Sequence, residues 1–316
     1  MTRIAVIDPA LGVRIHGARV LRYDTAAEAH EDRPAHVRAA SGLAVHAGRL
    51  VVAQDDASFF GIVTRDGVTA MRLPRGLDGR RRFEVALGNK LDKLDLESMV
   101  AIDDELWAFG SGSLPIREKV CRVHHGIPRV QDAAPLYARL REALDGALNI
   151  EGAARVQTDG RDELWLFHRG NTGPRDPGPA VLRLGTMETR AWLVATAPMP
   201  ALLDVDGYAL GEADGARFGF TGAVADGGRV FYVAAAEQSP NAIDDGAATG
   251  SQLGMIDVAS GVVRATHFAG PDGHPVKAEG IALDATRPRR AWIALDPDDP
   301  EIPAQLLDVE LTGPWW

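Results

Sequence analysis

Three glutamates, Glu97, Glu151 and Glu279, stand at the same place in a recurring block, each followed by Gly or Ser and then a short apolar run. Two further copies carry Ser41 and Thr221 there. Carboxylates brought to one place repel each other unless something neutralises them. A hard cation such as Ca²⁺ would do so, because it takes carboxylate, amide and carbonyl oxygens. Basic side chains would also do so, and Lys90, Lys93, Arg117, Arg169 and Lys277 lie close by in the sequence. The third outcome is a carboxyl that keeps its proton and takes part in acid–base catalysis. The residues alone leave all three open.

The neighbouring positions widen the set. Asp95, Asn149 and Lys277 lie two residues before the acidic heads. Polar loops follow the second strand of each block: Asp55-Asp56-Ala57-Ser58, Gly110-Ser111-Gly112-Ser113, His168-Arg169-Gly170-Asn171, Glu237-Gln238-Ser239-Pro240-Asn241 and Asp296-Pro297-Asp298-Asp299. Arg169, with its planar fork, and Lys277, as a point charge, suit an anionic group of a ligand. Lys93, Ser111, Ser113, His168, Asn171, Glu237 and Asn241 are expected to line the same place. Histidines are not clustered at metal-ligand spacing; only His124 and His125 are adjacent, which favours a hard cation over a transition metal. The Gly-Ser-Gly-Ser loop lacks the Lys and helix of a phosphate loop, so it offers an anion only backbone N–H groups. The Asp296 loop lacks the Gly and final Glu of an EF-hand.

What must position these residues is the block itself. Its second residues fall at 42, 98, 152, 222 and 280, in steps of 56, 54, 70 and 58. Such a period fits four-stranded propeller blades. Second strands align as Arg49–Ala53, Glu105–Phe109, Glu163–Phe167, Arg229–Val233 and Arg290–Ala294, and three of them carry Trp at one place, read as packing between blades. Third and fourth strands are expected at Phe59–Thr64 and Val68–Leu73, Ala180–Leu184 and Arg190–Ala195, and Leu253–Val258 and Val262–Phe268; after Lys119–Val123 the second unit is less regular. The last unit has three strands, and Arg14–Tyr23 would supply the fourth and close the ring. The expected fold is all-β: a single β-propeller over residues 1–316 with five blades, the 70-residue step leaving room for a sixth around Tyr208–Leu210 and Arg217–Gly219. Insertions fall near 133–148, a helix with Leu136, Leu140 and Leu144 on one face, and near 237–250, a polar loop. In an antiparallel blade the start of the inner strand and the end of the second share one side, so heads and polar loops converge on one rim.

The formal net charge of −10 argues against nucleic-acid binding. No stretch reaches the roughly 18 apolar residues that span a bilayer. A lone cysteine, Cys121, forms no intrachain disulfide, and Met1–Pro9 does not read as a secretory leader, so a cytoplasmic setting is expected. Oligomeric state is not encoded in these features.

The ordered set Asp95-Leu96-Glu97, Gly110–Ser113, Leu148–Gly152, His168–Asn171, Phe220-Thr221 and Ala236-Glu237 with Asn241 and Asp244–Gly246 resembles an uncharacterised bacterial β-propeller family, from about Ser41 to Glu279. The Glu-Gly heads are distantly similar to those of phytase-like esterase and gluconolactonase-type propellers. That resemblance implies a divalent cation, often calcium, on the channel axis, with Glu97, Asn149, Glu151 and Glu279 as its ligands. Ser41 and Thr221 depart from the pattern. The expectation is a small-molecule hydrolase of the lactone, ester or phosphoester class, in which Glu97, Glu151 and Glu279 hold the ion or act as base and Arg169 and Lys277 orient an anionic substrate. The alternative is a non-catalytic propeller that binds a ligand or protein at the same rim.

Overall fold

Each block head opens a strand that leads an antiparallel sheet. The computed structural model describes residues 2–158, 160–171, 173, 176–238 and 246–316. The N-terminus supplies β1 (Thr2–Ile7) and β2 (Gly12–Val20). A first sheet pairs β3 (Ala40–His46), β4 (Arg49–Gln54), β5 (Phe59–Val63) and β6 (Val68–Arg72) in that order. A second does the same with β7 (Leu96–Ile102), β8 (Glu105–Gly110), β9 (Lys119–His124) and β10 (Ile127–Asp132). After helix α1 (Ala134–Leu144) come β11 (Ile150–Thr158), β12 (Arg161–His168) and β13 (Ala180–Gly185), then helix α2 (Thr186–Leu193) and β14 (Leu202–Ala209). Next are β15 (Glu212–Ala213), β16 (Ala216–Asp226), β17 (Arg229–Glu237), β18 (Ala248–Asp257) and β19 (Val263–Phe268). The chain ends with β20 (Ala278–Leu283), β21 (Arg290–Leu295) and β22 (Gln305–Thr312), and β2 pairs antiparallel with β22.

Strand β1 runs parallel to β14 through Thr2–Ile4 and to β19 through Ala5–Ile7, which joins the third and fourth sets of strands into one ten-stranded sheet. It covers two outer edges that would otherwise present unpaired backbone.

The core is divided. Among the described residues five apolar clusters form, each drawn mainly from two sheets that follow one another, and one of them joins Leu43 and Val52 of the first sheet to Ala294 and Leu306 of the last. Trp107 packs in the cluster between the second and third sheets, Trp165 in the next. Each indole N–H donates to a glutamate two residues earlier, Glu105 at 2.7 Å and Glu163 at 2.9 Å, so the repeated Glu-Leu-Trp satisfies its own buried donor.

Three sequence expectations are corrected. Arg190–Ala195 is not a strand: Thr186–Leu193 is helical, and the fourth strand of that unit is Leu202–Ala209. Met187, Glu188, Arg190 and Ala191 favour helix, and Trp192 and Leu193 bury against the same cluster as Trp107. The irregular end of the second unit is an ordinary strand, Ile127–Asp132, reached through a His125-Gly126 turn with both residues left-handed. Of the segments with room for a sixth blade, Tyr208–Ala209 lie in β14 and Arg217–Gly219 in β16. Helix α1 ends at Leu144 rather than 148, capped by Asp145 in the left-handed region. Among the described residues no helix is long and apolar enough to cross a membrane.

Candidate functional site

All five block heads lie in β-bulges. Pairing of the inner strand with the second strand slips between Ala40 and Leu43, Leu96 and Ser98, Ile150 and Gly152, Phe220 and Gly222, and Ala278 and Gly280. A bulge inserts an unpaired residue and re-aims its side chain. Ser41 and Thr221 use that freedom as stitches: Ser41 Oγ donates to the Leu96 carbonyl at 2.7 Å and Thr221 Oγ1 to the Ala278 carbonyl at 2.5 Å. Each binds the next inner strand, which explains why these two heads are hydroxyls.

The acidic heads lie among ion pairs. Lys93 Nζ is 2.5 Å from Asp55 and 2.7 Å from Asp95. Arg117 Nη1 donates to Asp95 at 2.9 Å and to Ser113 Oγ at 2.8 Å, and Ser111 Oγ also donates to Asp95. Across the rim, Arg169 Nη1 donates to both oxygens of Glu151, at 2.9 and 3.1 Å, and Nη2 to Glu237 at 2.5 Å. Asn149 Nδ2 donates to Glu151 at 2.6 Å. Lys277 Nζ is 2.6 Å from Asp298, 3.4 Å from Glu279 and 3.8 Å from Glu237.

These surroundings split the acids into two groups. Burial would raise Asp95 and Glu237, but Lys93 and Arg117 hold the first, and Arg169 and Lys277 the second, below the usual carboxylate range. Burial lifts Glu97 well above that range, with Asp55 and Asp95 adding repulsion, and lifts Glu279 likewise against the pull of Lys277. Glu151 is raised by burial despite Arg169. Burial and Asp55 push Asp56 up to about 7. Burial pushes Asp296 to about 8, with Lys277 opposing and Asp298 adding repulsion.

A cleft of about 370 Å³ opens between the loops of the first and last sheets, and Asp55, Asp56, Lys93, Lys277, Asp296 and Asp298 line it. Buried Arg38 holds Asp56 Oδ2 at 2.7 Å and Glu84 at 3.1 Å, while Asp56 Oδ1 is buried without a hydrogen-bond partner. A smaller cleft of about 250 Å³ lies on the other side of Arg169 and Glu237 and includes Asn171. A further pocket is lined by the five inner strands, mainly by apolar residues such as Leu43, Met99, Ala153, Ala223 and Ala282, with Arg155 among them.

Glu97, Glu151, Glu279, Arg169, Lys277, Lys93, Ser111, Ser113, Asn149 and Glu237 therefore belong to the rim network. His168 does not reach either cleft: it is fully buried, its Nδ1 accepts the Asn149 N–H at 3.0 Å, and burial lowers it to about 4, so it is neutral. Asn241 and the rest of residues 239–245, half of the loop near 237–250, lie outside the described residues. The three Glu heads do not form one close group; among the described residues the carboxylates near enough to share a cation are Asp55, Asp95 and Glu97, within 4.8 Å. Asp104, His124 and His125 form a second such group, exposed. Sequence reasoning placed Asp56 and Asp296 in rim loops without naming either as a site residue, and it passed over Arg38. The signal for the two acids was the matching acidic loops after β4 and β21; nothing singled out Arg38.

Nearly all-β sheets radiating from a common set of inner strands define a propeller-like protein. The sequence matches the model of a family of unknown function (DUF6929) over residues 36–311, and the chain belongs to that family. No curated protein matches it. Among solved structures it is similar to a glutaminyl cyclase from Myxococcus xanthus, at 12% identity and TM-score 0.50, covering 99% of this chain and 100% of that one. It is also similar to MPT-4, a mannose phosphorylase from Leishmania mexicana, at 13% identity and TM-score 0.50, covering 94% and 89%. At such identities the likeness is one of fold.

Proposed function

We propose that this chain is a five-bladed propeller whose rim cleft hydrolyses a small ester or lactone, with Asp56 as general base and Asp296 as general acid. The blade count is supported by five bulged heads and five seam clusters, and closure by the pairing of β2 with β22 and the cluster shared by the first and last sheets. The catalytic reading rests on one observation: two carboxyls from opposite walls line one cleft, each held near neutrality. Asp56, when ionised, would take a proton from water; Asp296, protonated at neutral pH, would give one to the leaving oxygen. Glu97, Glu151, Glu279, Arg169 and Lys277 supply the charge network that sets these values. That enzymes such as glutaminyl cyclase occur among similar folds is compatible with this, but fold does not decide chemistry.

The donors do not suit a resident Ca²⁺. The Lys93 ammonium contacts Asp55 and Asp95 in the close all-carboxylate group found among the described residues, so an ion there would have to displace it. No step above needs a metal. Thermal unfolding with EDTA and with added Ca²⁺ should coincide; a rise with Ca²⁺ would restore the cation reading.

The catalytic test is a panel of lactones, carboxylic esters and phosphoesters. Asp56→Asn and Asp296→Asn should each lower kcat by about 10²-fold or more with the fold intact. The wild-type rate should rise near pH 7 and fall near pH 8. Ligand binding without turnover of any member would leave the non-catalytic propeller.

A further inference from the structure

We propose that the cleft between the first and last sheets selects an organic ammonium with an apolar body, which deepens the reading above and rests on it for the site. Its basic groups are already engaged. Arg38 is held by Asp56 and Glu84, Lys93 by Asp55 and Asp95, and Lys277 by Asp298, while Lys90 also has a partner. An incoming anion would have to break one of these pairs and leave a buried carboxylate uncompensated.

Carboxyl groups outnumber the cations, six to four. Asp55, Asp56, Glu84, Asp296, Asp298 and Asp299 line the cleft against Arg38, Lys90, Lys93 and Lys277. Asp55 Oδ1 and Asp56 Oδ1 are shielded from solvent and accept no hydrogen bond. Unfilled carboxylate acceptors call for a ligand that brings donors. A primary ammonium brings three donors and no acceptor. A carboxylate or phosphate brings acceptors only.

The remaining wall is apolar. Phe83, Val85, Ala86 and Pro300 line the same cleft, and Val85 is 77% exposed with nothing over it in the described structure. A space of about 370 Å³ accommodates a ring or short alkyl chain beside the charged end. The anionic substrate expected from Arg169 and Lys277 is thus replaced, because both cations are spent on Glu151, Glu237, Glu279 and Asp298.

The test uses the full chain and three probes that share one ring: benzylamine, benzyl alcohol and benzoate. Calorimetry at neutral pH and low salt should show benzylamine binding at least about tenfold more tightly than either of the others. Added salt should weaken it. Asp299 is exposed and among the described residues its carboxylate accepts only the Glu301 N–H, so Asp299→Asn should fold normally. It should weaken benzylamine by about threefold or more and leave benzyl alcohol unchanged. Benzoate or the alcohol binding as tightly as the amine, or no heat from any probe at about 10 mM, would overturn the proposal. The two readings fail separately. Amine binding with no ester turned over removes the hydrolase and keeps the amine site; turnover of amine-free esters without amine binding does the reverse.

Discussion

Arg169 and Glu237 tie the third and fourth sets of strands together: the Arg169 guanidinium, just after β12, grips Glu151 of β11 and also donates to Glu237 at the end of β17, at 2.5 Å. Glu237 in turn lies 3.8 Å from Lys277. One buried cation therefore compensates two buried acids from different sets of strands. Removing it leaves both without their main partner, and breaking a buried pair from one side costs about 3–5 kcal/mol. Arg169→Met should lose about that much in urea unfolding. Adding Glu151→Gln should recover part of the loss, because one of the stranded charges is gone. Arg169→Lys should not rescue, since a point charge cannot serve both carboxylates in the same plane. A single Arg169→Met variant as stable as wild type would show that water enters and screens the network.

Asp296 links the rim to folding. Its pKa is about 8 in the folded chain, against an ordinary value of 3.8. Between those values the folded state keeps the proton that the unfolded state has lost, so this group lowers stability as pH rises. The slope is at most about 1.4 kcal/mol per pH unit for one group. Asp95 and Glu237 act in the opposite sense, losing their contribution as pH falls through the acid range. Asp296→Asn should be neutral or stabilising at pH 8, and its stability should decline less between pH 5 and 8 than that of wild type. Equal slopes in the two chains would mean that Asp296 is ionised throughout.

His168 offers a cleaner titration. Burial lowers it to about 4 from 6.5, and the unfolded chain takes up a proton that the folded one refuses. Its contribution is present above 6.5 and shrinks as pH falls toward 4. Imidazole NMR signals of the folded protein should show one His that does not titrate between pH 5 and 8. His168→Phe should remove that signal and cost about 1–3 kcal/mol, because the buried Asn149 N–H loses its acceptor.

The sequence shows the spacing of the units because each starts with a small residue and four of the five carry an aromatic in the second strand. Gly42, Gly222 and Gly280 and the pair Trp107 and Trp165 answer to those local needs. The bulges were not legible, since a two-for-one pairing leaves no mark in composition. Nor was the pairing of charges. Glu97, Glu151 and Glu279 look equivalent in the chain, yet Glu151 is bound by Arg169, Glu279 lies beside Lys277, and among the described residues Glu97 has no hydrogen-bond partner. Those fates depend on loops of neighbouring sheets, which align poorly. Helix α2 escaped notice for a related reason: eight residues of mixed polarity fit a strand as well as two turns of helix.

The most local of these needs is also the most testable. Gly280 lies where the inner strand of the last sheet meets that of the first. A Cβ there would stand 2.8 Å from Leu43 Cβ, 3.0 Å from Leu43 N and 3.1 Å from the Ser41 carbonyl. Two of those atoms are backbone, so relief requires the strands to part. Gly280→Ala should therefore cost about 1–3 kcal/mol by overpacking, despite the ordinary gain in strand propensity. Gly17→Ala is the control, because a Cβ at Gly17 meets nothing within 4 Å, and its effect should stay within about 0.5 kcal/mol. The wedge at Gly280 adjoins Glu279, which neighbours Lys277 on the wall of the larger cleft, so benzylamine affinity should fall with it. An unchanged unfolding midpoint for Gly280→Ala would mean that the first and last sheets are not held together at this seam.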